Sequence, residues 1–597
     1  MSSVPERSEI DDENKWDLES IFASDEDWET ALADISDRID DLSVYEGRVT
    51  ESPETLLELL ELREDLLRDV STVSTYASLR SSEDTRDGEY QAMSARAESL
   101  AADARSAASF VRPELQALDR AELDDFVETE PVLAEYDHYF DDVLRAKPHT
   151  RSKEVEELLA DLSDVTDAAS DVYSMLSNAD MEFPTVENPD GEDVEITLGN
   201  FTKLQKHPNR SFRREVHEVF YDHWADVRNG VGTALKKSVT SDVKLARARN
   251  YDTAREAALD GPNVPIDAYD TLVDTVRENL DYLHRHADLK ATALGVDDLR
   301  MWDLYASMAD GEPPSIPYGQ AVEYVVDAVE PLGEAYQERL AEGLDSRWVD
   351  VYENRGKRSG AFSAGTYDTQ PFILMNYQND VSSMYTLAHE LGHSMHSELA
   401  NEAQPWQYSD YDIFVAEVAS TVNETLLTHH LLETVDDDTL RRHVLDEYLE
   451  RFRSTLFRQT MFAEFELRIH ETVENDGALT PDRFDDLYRE LKEAFYEPAV
   501  VDDRIAREWM RIPHFYYGYY VYQYSTGISA ATAIVDRIRS EGENAAADYR
   551  EALRMGGSAY PAEILEQAGV DTTDAGYIET ALSTYDETLD EMERLIR

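Results

Sequence analysis

The stretch TLAHELGHSMH, residues 386–396, places three imidazoles and a carboxylate within eight residues. His389 and His393 are four apart, so on a helix they stack one turn above the other. They can then close on a single ion with Zn–N bonds of about 2.0 Å. Taking about 100° per residue with His389 at zero, His393 falls near 40°, His396 near −20° and Glu390 near 100°. Met384, Ala388, Leu391 and Met395 gather between roughly 200° and 260°, on the opposite face. One side of such a helix is built to bury and the other to hold imidazoles. The pattern is H-E-x-x-H, and a chain of this composition would hold only about 0.04 chance copies of it. Gly392 costs roughly 1 kcal/mol inside a helix, which predicts the close approach of another segment. A metal-binding helix is the reading these residues carry, against an ordinary amphipathic one.

A catalytic zinc needs a third protein ligand and an open position for water. Downstream, FVAEVASTVNETLL spans residues 414–427. As a helix it puts Glu417, Ser420, Thr421 and Glu424 on one face, and Val415, Val418, Val422 and Leu426 on another. Two carboxylates seven residues apart suit a ligand and a supporting partner for the site. The competing reading is two solvated acids in a very acidic protein. Against it, the apolar residues around Glu417 point to burial, and a buried carboxylate is costly unless paired or bound to metal.

A third stretch, RIPHFYYGYYVYQYSTG (511–527), holds six tyrosines within nine residues, with His514 upstream and glycines at 518 and 527. An aromatic packing loop accounts for most of these tyrosines. Phenol and imidazole donors are also what a zinc hydrolase uses to stabilise an oxyanion, and a glycine-bearing loop can carry them.

The elements that must position these groups read mostly as helices. PETLLELLELREDLLRDVSTVSTYASLR and EYQAMSARAESLAADARSAASFVRPELQAL, joined by SSEDTRDG, predict an antiparallel helical hairpin. A helical block follows over about 121–180. MEFPTVENPDGEDVEITLGN (181–200) reads as a strand pair around PDG. Helices resume over about 208–345, and WVDVYENRGKRSGAFSAGTYDTQPFILMNYQND is the other strand-like region. The remainder, 381–597, is again helical. The expected division is an N-terminal helical region (1–120), a helical and hairpin region (121–200) and a catalytic region (201–597).

The charge is extreme, with 55 basic residues against 127 acidic ones and a formal net charge of −72; only eleven of the basic residues are lysines. The acids run through every segment rather than forming a disordered tail. At molar salt the Debye length shrinks to about 3 Å and such repulsion is screened, so the expectation is a protein of a salt-rich cytoplasm. Localised attraction of cationic partners is the less favoured reading because the charge is spread. A phosphate backbone would be repelled, which excludes nucleic acid as a partner. The absence of cysteine excludes disulfides, thiolate metal sites and a cysteine nucleophile. No run approaches 18 apolar residues and no basic segment precedes an apolar one at the N-terminus, so no membrane partner and a cytoplasmic location are expected.

With these elements together, the chain resembles the oligoendopeptidase F branch of the thimet-oligopeptidase-like (M3) zinc metallopeptidases. The resemblance rests on HELGHSMH (389–396), FVAEVASTVNE (414–424), GAFS (360–363) and PHFYYGYYVYQYSTG (513–527), with WDLESIF and the helical hairpin toward the N-terminus. It implies a mainly α fold with a small β-sheet, enclosing a deep channel that admits short peptide substrates. Carried over by motif, His389, His393 and Glu417 would hold one Zn2+ per chain and Glu390 would be the general base. His514, Tyr519 and Tyr522 would bind substrate and stabilise the intermediate. The spacing from His514 to the tyrosines is shorter than in the thimet branch. Phe362 and Ser363 of the GAFS segment would offer a sheet edge to the substrate backbone.

The implied reaction is hydrolysis of internal peptide bonds. A zinc carboxypeptidase on a similar helical fold is the alternative within enzymes. It would need a cation for the substrate's C-terminal carboxylate, and Arg511 is the nearest candidate. A non-catalytic peptide-binding protein with a structural metal is the alternative from another class, and Glu390 argues against it because a structural site needs no base.

Overall fold

The structure is a computed structural model that describes residues 4–309, 311 and 313–597. Helix follows helix through most of the chain, as the periodicity predicts, and among the described residues five short strands form two small sheets. The helical reading of 208–345 takes in residues 310 and 312, which lie outside the described residues. No helix among the described residues is long and apolar enough to cross a membrane.

The hairpin expected at 181–200 forms as β1 (Thr185–Glu187) and β2 (Asp193–Glu195), antiparallel with Val186 opposite Val194. Asn188 shapes its turn: Oδ1 accepts the backbone N–H of Asp190 at 3.0 Å and of Glu192 at 2.9 Å. Gly191 completes the turn at φ +82°, where a side chain would be strained. The second strand-like region yields β3 (Val349–Asp350), β4 (Phe362–Ala364) and β5 (Phe372–Leu374), in the order β3-β5-β4. β5 is parallel to β3 and antiparallel to β4. β4, the GAFS strand, is therefore an edge strand whose outer side no other strand of the sheet covers.

The chain divides into two compact units, each drawn from three stretches. The first comprises Met1–Pro148, Ser315–His430 and Arg537–Gly569; the second comprises His149–Pro314, Leu431–Asp536 and Val570–Arg597.

In the first unit, the helical hairpin appears as α1 (Pro53–Glu83) and α2 (Gly88–Ala107). Ser52 caps α1 by accepting the Thr55 N–H, and proline takes the first helical position, where its missing N–H is not needed. Asp87 caps α2, accepting from Glu89 at 2.9 Å. Their apolar stripes bury Leu56, Leu59, Leu66, Val70, Met93 and Leu100 in a core that also holds Trp16, Trp28 and, from β5, Phe372 and Leu374. Each such side chain contributes about 1.5–3 kcal/mol on burial, so hairpin and sheet brace one another.

The same unit carries the histidine helix, α3 (Val381–Ala403), and the start of α4 (Ile413–Thr434). Asp380 begins α3 by accepting the Ser383 N–H at 2.8 Å. The two helices meet at Gly392. A Cβ there would lie 2.6 Å from Ser420 Cα and 2.7 Å from the Ala419 carbonyl oxygen, both backbone atoms of α4. The glycine that weakens the helix is what lets α4 come this close.

Among the described residues the second unit is mostly helical, with β1 and β2 as its strands, and its core holds charge. Fully buried Glu508 accepts from Lys492 at 2.6 Å, Arg458 at 2.6 Å and Arg511 at 2.9 Å. Lys290, also buried, pairs with Glu450 and donates to the Leu304 carbonyl at 2.6 Å. Buried ions persist only when partnered in this way, and removing one partner costs several kcal/mol.

A methyl group at Gly392 is expected to force α3 from α4. Gly392→Ala should lower stability by about 1–3 kcal/mol despite alanine's better helix propensity. A melting curve reads it; an unchanged or raised melting temperature would mean that the contact is soft.

Candidate active site

His389, His393 and Glu417 come together: one ligand atom from each lies within 4.8 Å of the others. His389 Nε2 stands 3.2 Å from His393 Nε2 and 3.6 Å from Glu417 Oε2. Two nitrogens at 2.0–2.1 Å from one tetrahedral ion would be about 3.3 Å apart. Two imidazole nitrogens and a carboxylate oxygen gathered at these distances form a donor set that fits zinc in both spacing and chemistry.

The surrounding contacts fix how the imidazoles point. His389 Nδ1–H donates to Glu424 Oε1 at 2.6 Å, which leaves Nε2 with its lone pair toward the group. Glu424 is buried at 7% exposure and sits seven residues after Glu417, two helical turns along the same face of α4. Its carbonyl accepts from Thr428 Oγ1 at 2.9 Å, and Thr428 meets Tyr385 OH at 2.8 Å. His393 hydrogen-bonds the backbone of Ala416, and burial, reinforced by the nearby His389, pushes its pKa down to about 3. Ser420 Oγ–H donates to the Glu417 carbonyl at 3.0 Å.

Glu390 lies beside this group, buried at 6% exposure. Burial raises its pKa; His389 opposes that rise, Glu417 adds to it, and a hydrogen bond from the Ser363 backbone N–H opposes it again. The same N–H ties the carboxylate to edge strand β4. A second tie runs through hydroxyls: Ser363 Oγ lies 2.9 Å from Ser394 Oγ, which donates to the Glu390 carbonyl at 2.9 Å. The Phe362 ring packs instead near Trp16, 6.4 Å between centroids, and under the Arg358 guanidinium. What Phe362 can offer a ligand is therefore backbone.

His396 shares the histidine face but stays out of the group. Its ring is stacked 3.4 Å from that of Tyr411, fully buried, with neither nitrogen hydrogen-bonded. Burial first, then the nearby His393, holds its pKa near 3, so it is a neutral packing group. Tyr411 OH in turn reaches Ser397 Oγ at 2.8 Å and the His393 carbonyl at 3.3 Å. Nothing in the local sequence signals this support.

The tyrosine stretch lies in the second unit and is less of a loop than its glycines suggest. Ile505–Arg511 and Pro513–Tyr516 are 3-10 turns, and a helix, α5 (Tyr522–Glu541), begins at Tyr522. His514, half-buried, has the rings of Tyr517, Tyr520 and Tyr524 within about 6 Å; burial and the charge of Arg458 lower its pKa. Tyr519 and Tyr522 are buried, each with its ring beside Tyr269. Tyr519 sits at φ +55°, a strained region for a tyrosine, and its N–H donates to Glu466 Oε1 at 2.6 Å. Glu466 was not read from the sequence, although FAEFELRIH, an acid among apolar residues at helical spacing, carries the signal. Burial raises its pKa to about 7, with His470 opposing.

Known proteins resemble this chain along most of its length. The model of "Peptidase family M3" matches residues 203–584, and that of "Oligopeptidase F" matches residues 114–183. Oligopeptidase PepF of Bacillus subtilis is 41% identical over 596 residues, covering 100% of this chain and 89% of that protein. Group B oligopeptidase PepB of Streptococcus agalactiae is 40% identical, covering 99% of this chain and 98% of its own. The crystal structure of oligoendopeptidase-F from Enterococcus faecium superposes with a TM-score of 0.75 at 34% identity, covering 96% of this chain and 99% of that one.

The Glu466 clamp makes a pH-dependent prediction. A carboxyl whose pKa is raised in the folded protein binds its proton more tightly there, so its contribution is full below the unfolded value of about 4.5 and falls as pH rises toward 7. Glu466→Gln keeps an acceptor for the Tyr519 N–H and removes the charge. It should melt above the parent at pH 8, by up to about 3 kcal/mol, and converge with it near pH 5. A gap that does not change with pH would contradict the assignment.

Proposed function

The chain belongs to peptidase family M3, with the mainly α fold of oligoendopeptidase F, and on that premise we propose that it is a zinc-dependent endopeptidase cutting internal bonds of short peptides. The observation that carries this reading is the convergence of His389, His393 and Glu417, with Glu390 buried beside them.

In this proposal His389 Nε2, His393 Nε2 and a Glu417 carboxylate oxygen would hold one zinc. Bound there, zinc supplies Lewis acidity that polarises a carbonyl and lowers the pKa of water to about 7. Glu390 takes a proton from the attacking water onto its carboxylate and passes it to the leaving amine nitrogen. Its raised pKa suits that traffic better than an ordinary exposed carboxylate would. Glu424 keeps His389 in the tautomer that presents Nε2. The edge of β4 at Phe362 and Ser363 receives the peptide backbone as an added strand. His514, Tyr519 and Tyr522 bind the substrate and stabilise the tetrahedral intermediate, roles that rest on the family resemblance.

The carboxypeptidase alternative gains nothing from Arg511. That guanidinium is engaged by Glu508 at 2.9 Å, Tyr221 OH at 3.1 Å and Tyr305 OH at 3.3 Å. The spread charge leads us to place the enzyme in a salt-rich cytoplasm; its activity should then fall on dialysis to dilute buffer and return in molar KCl.

Four variants test the site. Glu390→Gln should keep close to one zinc per chain while losing about 10²–10⁴-fold in activity or more. Glu417→Ala should lower zinc content, because one of the three ligands is gone. Tyr522→Phe should reduce kcat by about 10²-fold with little change in KM if its hydroxyl serves the oxyanion. Full zinc and activity in Glu417→Ala, with both lost in Glu424→Ala, would move the third ligand to Glu424.

A further inference from the structure

The first unit holds a cavity of about 580 Å³ alongside the histidine helix. Ser397 and Asn401, one and two turns beyond His393 on α3, form part of its wall. Ala364 and Gly365, which continue edge strand β4, form another part, and Ala416 precedes Glu417 on α4. Tyr411 lines it too, and its hydroxyl reaches the His393 carbonyl at 3.3 Å. A peptide added to the edge of β4 would thus have this space within reach of a side chain as it runs past Ala364.

The lining has one basic residue, Arg63 of α1. The other two arginines of α1 are paired: Arg68 with Asp368 at 2.6 Å, and Arg80 with Glu19 at 3.2 Å. Arg63 is not. Its Nη1 donates to Gln407 Oε1 at 3.2 Å, its guanidinium stands 5.6 Å from the centre of the Tyr139 ring, and among the described residues no carboxylate pairs with it. Asp410, the one acid of the lining, turns Oδ1 to its neighbour's N–H on Tyr411 at 3.0 Å. A half-buried guanidinium with no carboxylate partner keeps N–H donors that a carboxylate could accept from.

We propose that this cavity is a substrate subsite for a carboxylate-bearing residue of the peptide, with Arg63 as its anchoring cation and the rings of Trp406 and Tyr411 as walls. The proposal rests on the peptidase reading and adds a specificity to it. An acidic side chain and a free C-terminus offer the same group, and either can accept two parallel N–H bonds donated by an Arg fork.

The test reads binding rather than turnover. Labelled peptides carrying a single Glu, stepped through each position, are compared with their Gln twins by fluorescence anisotropy at one fixed salt concentration. A second pair compares a free C-terminal carboxylate with its amide. The protein is the full chain bearing Glu390→Gln, alone and combined with Arg63→Gln or Arg63→Lys. One carboxylate-bearing peptide should bind about ten-fold more tightly than its uncharged twin. That ratio should fall to near one with Arg63→Gln and persist in part with Arg63→Lys. The ratio cancels any general weakening, so a poorly folded variant does not imitate the result. A ratio that is the same with and without Arg63, or near one in the parent, overturns the subsite. Failure of the peptidase reading would show separately, as absence of hydrolysis by the chain with Glu390 intact.

Discussion

The close approach of α3 and α4 at Gly392 is the constraint on which the site depends. Any side chain at that position would meet the backbone of Ser420 and Ala419. Only with the helices this close can Glu417 approach His389 Nε2 while Glu424, two turns on, reaches His389 Nδ1. One imidazole is thereby addressed from both nitrogens by one helix. The local cost of glycine in α3, about 1 kcal/mol, is set against the burial and hydrogen bonds of that interface.

A second constraint runs from α3 to the sheet. The Ser363 N–H holds the Glu390 carboxylate, and the Ser363 hydroxyl meets Ser394. Because β4 is an edge strand, the Glu390 carboxylate and that edge of the sheet are set by the same few atoms. β5 anchors the sheet in the core shared with α1 and α2, so the N-terminal hairpin stabilises the register of the strand that carries Ser363. His396 and Tyr411 extend the same support along α3, by packing rather than by ligation.

Much of this was legible where spacing alone decides geometry. His389, Glu390 and His393 announce a face of a helix through i, i+1 and i+4, and Glu417 and Glu424 share a face through i and i+7. Gly392 was legible as a demand for closeness, though its partner was not, since nothing local names Ser420. The tyrosine stretch misled in part: its glycines suggest a loop, whereas α5 starts at Tyr522 and Tyr519 is held at positive φ by a residue 53 positions earlier. Arg63 gave no signal within ELREDLLRD, because an arginine on an acidic helix is ordinary until its partners are known. The two units likewise interleave three stretches each, an arrangement set by long-range packing that leaves no mark in local composition.

The central claim is that a metal held by His389, His393 and Glu417 drives cleavage of internal peptide bonds. The most direct measurement is mass spectrometry of products from a peptide blocked at both ends, incubated with the protein as purified, after chelation, and after return of one equivalent of zinc. The account predicts two internal fragments, their disappearance on chelation and their recovery with zinc. Fragments that persist undiminished in the metal-free protein, or an intact blocked peptide beside an unblocked twin trimmed one residue at a time from its C-terminus, would contradict it.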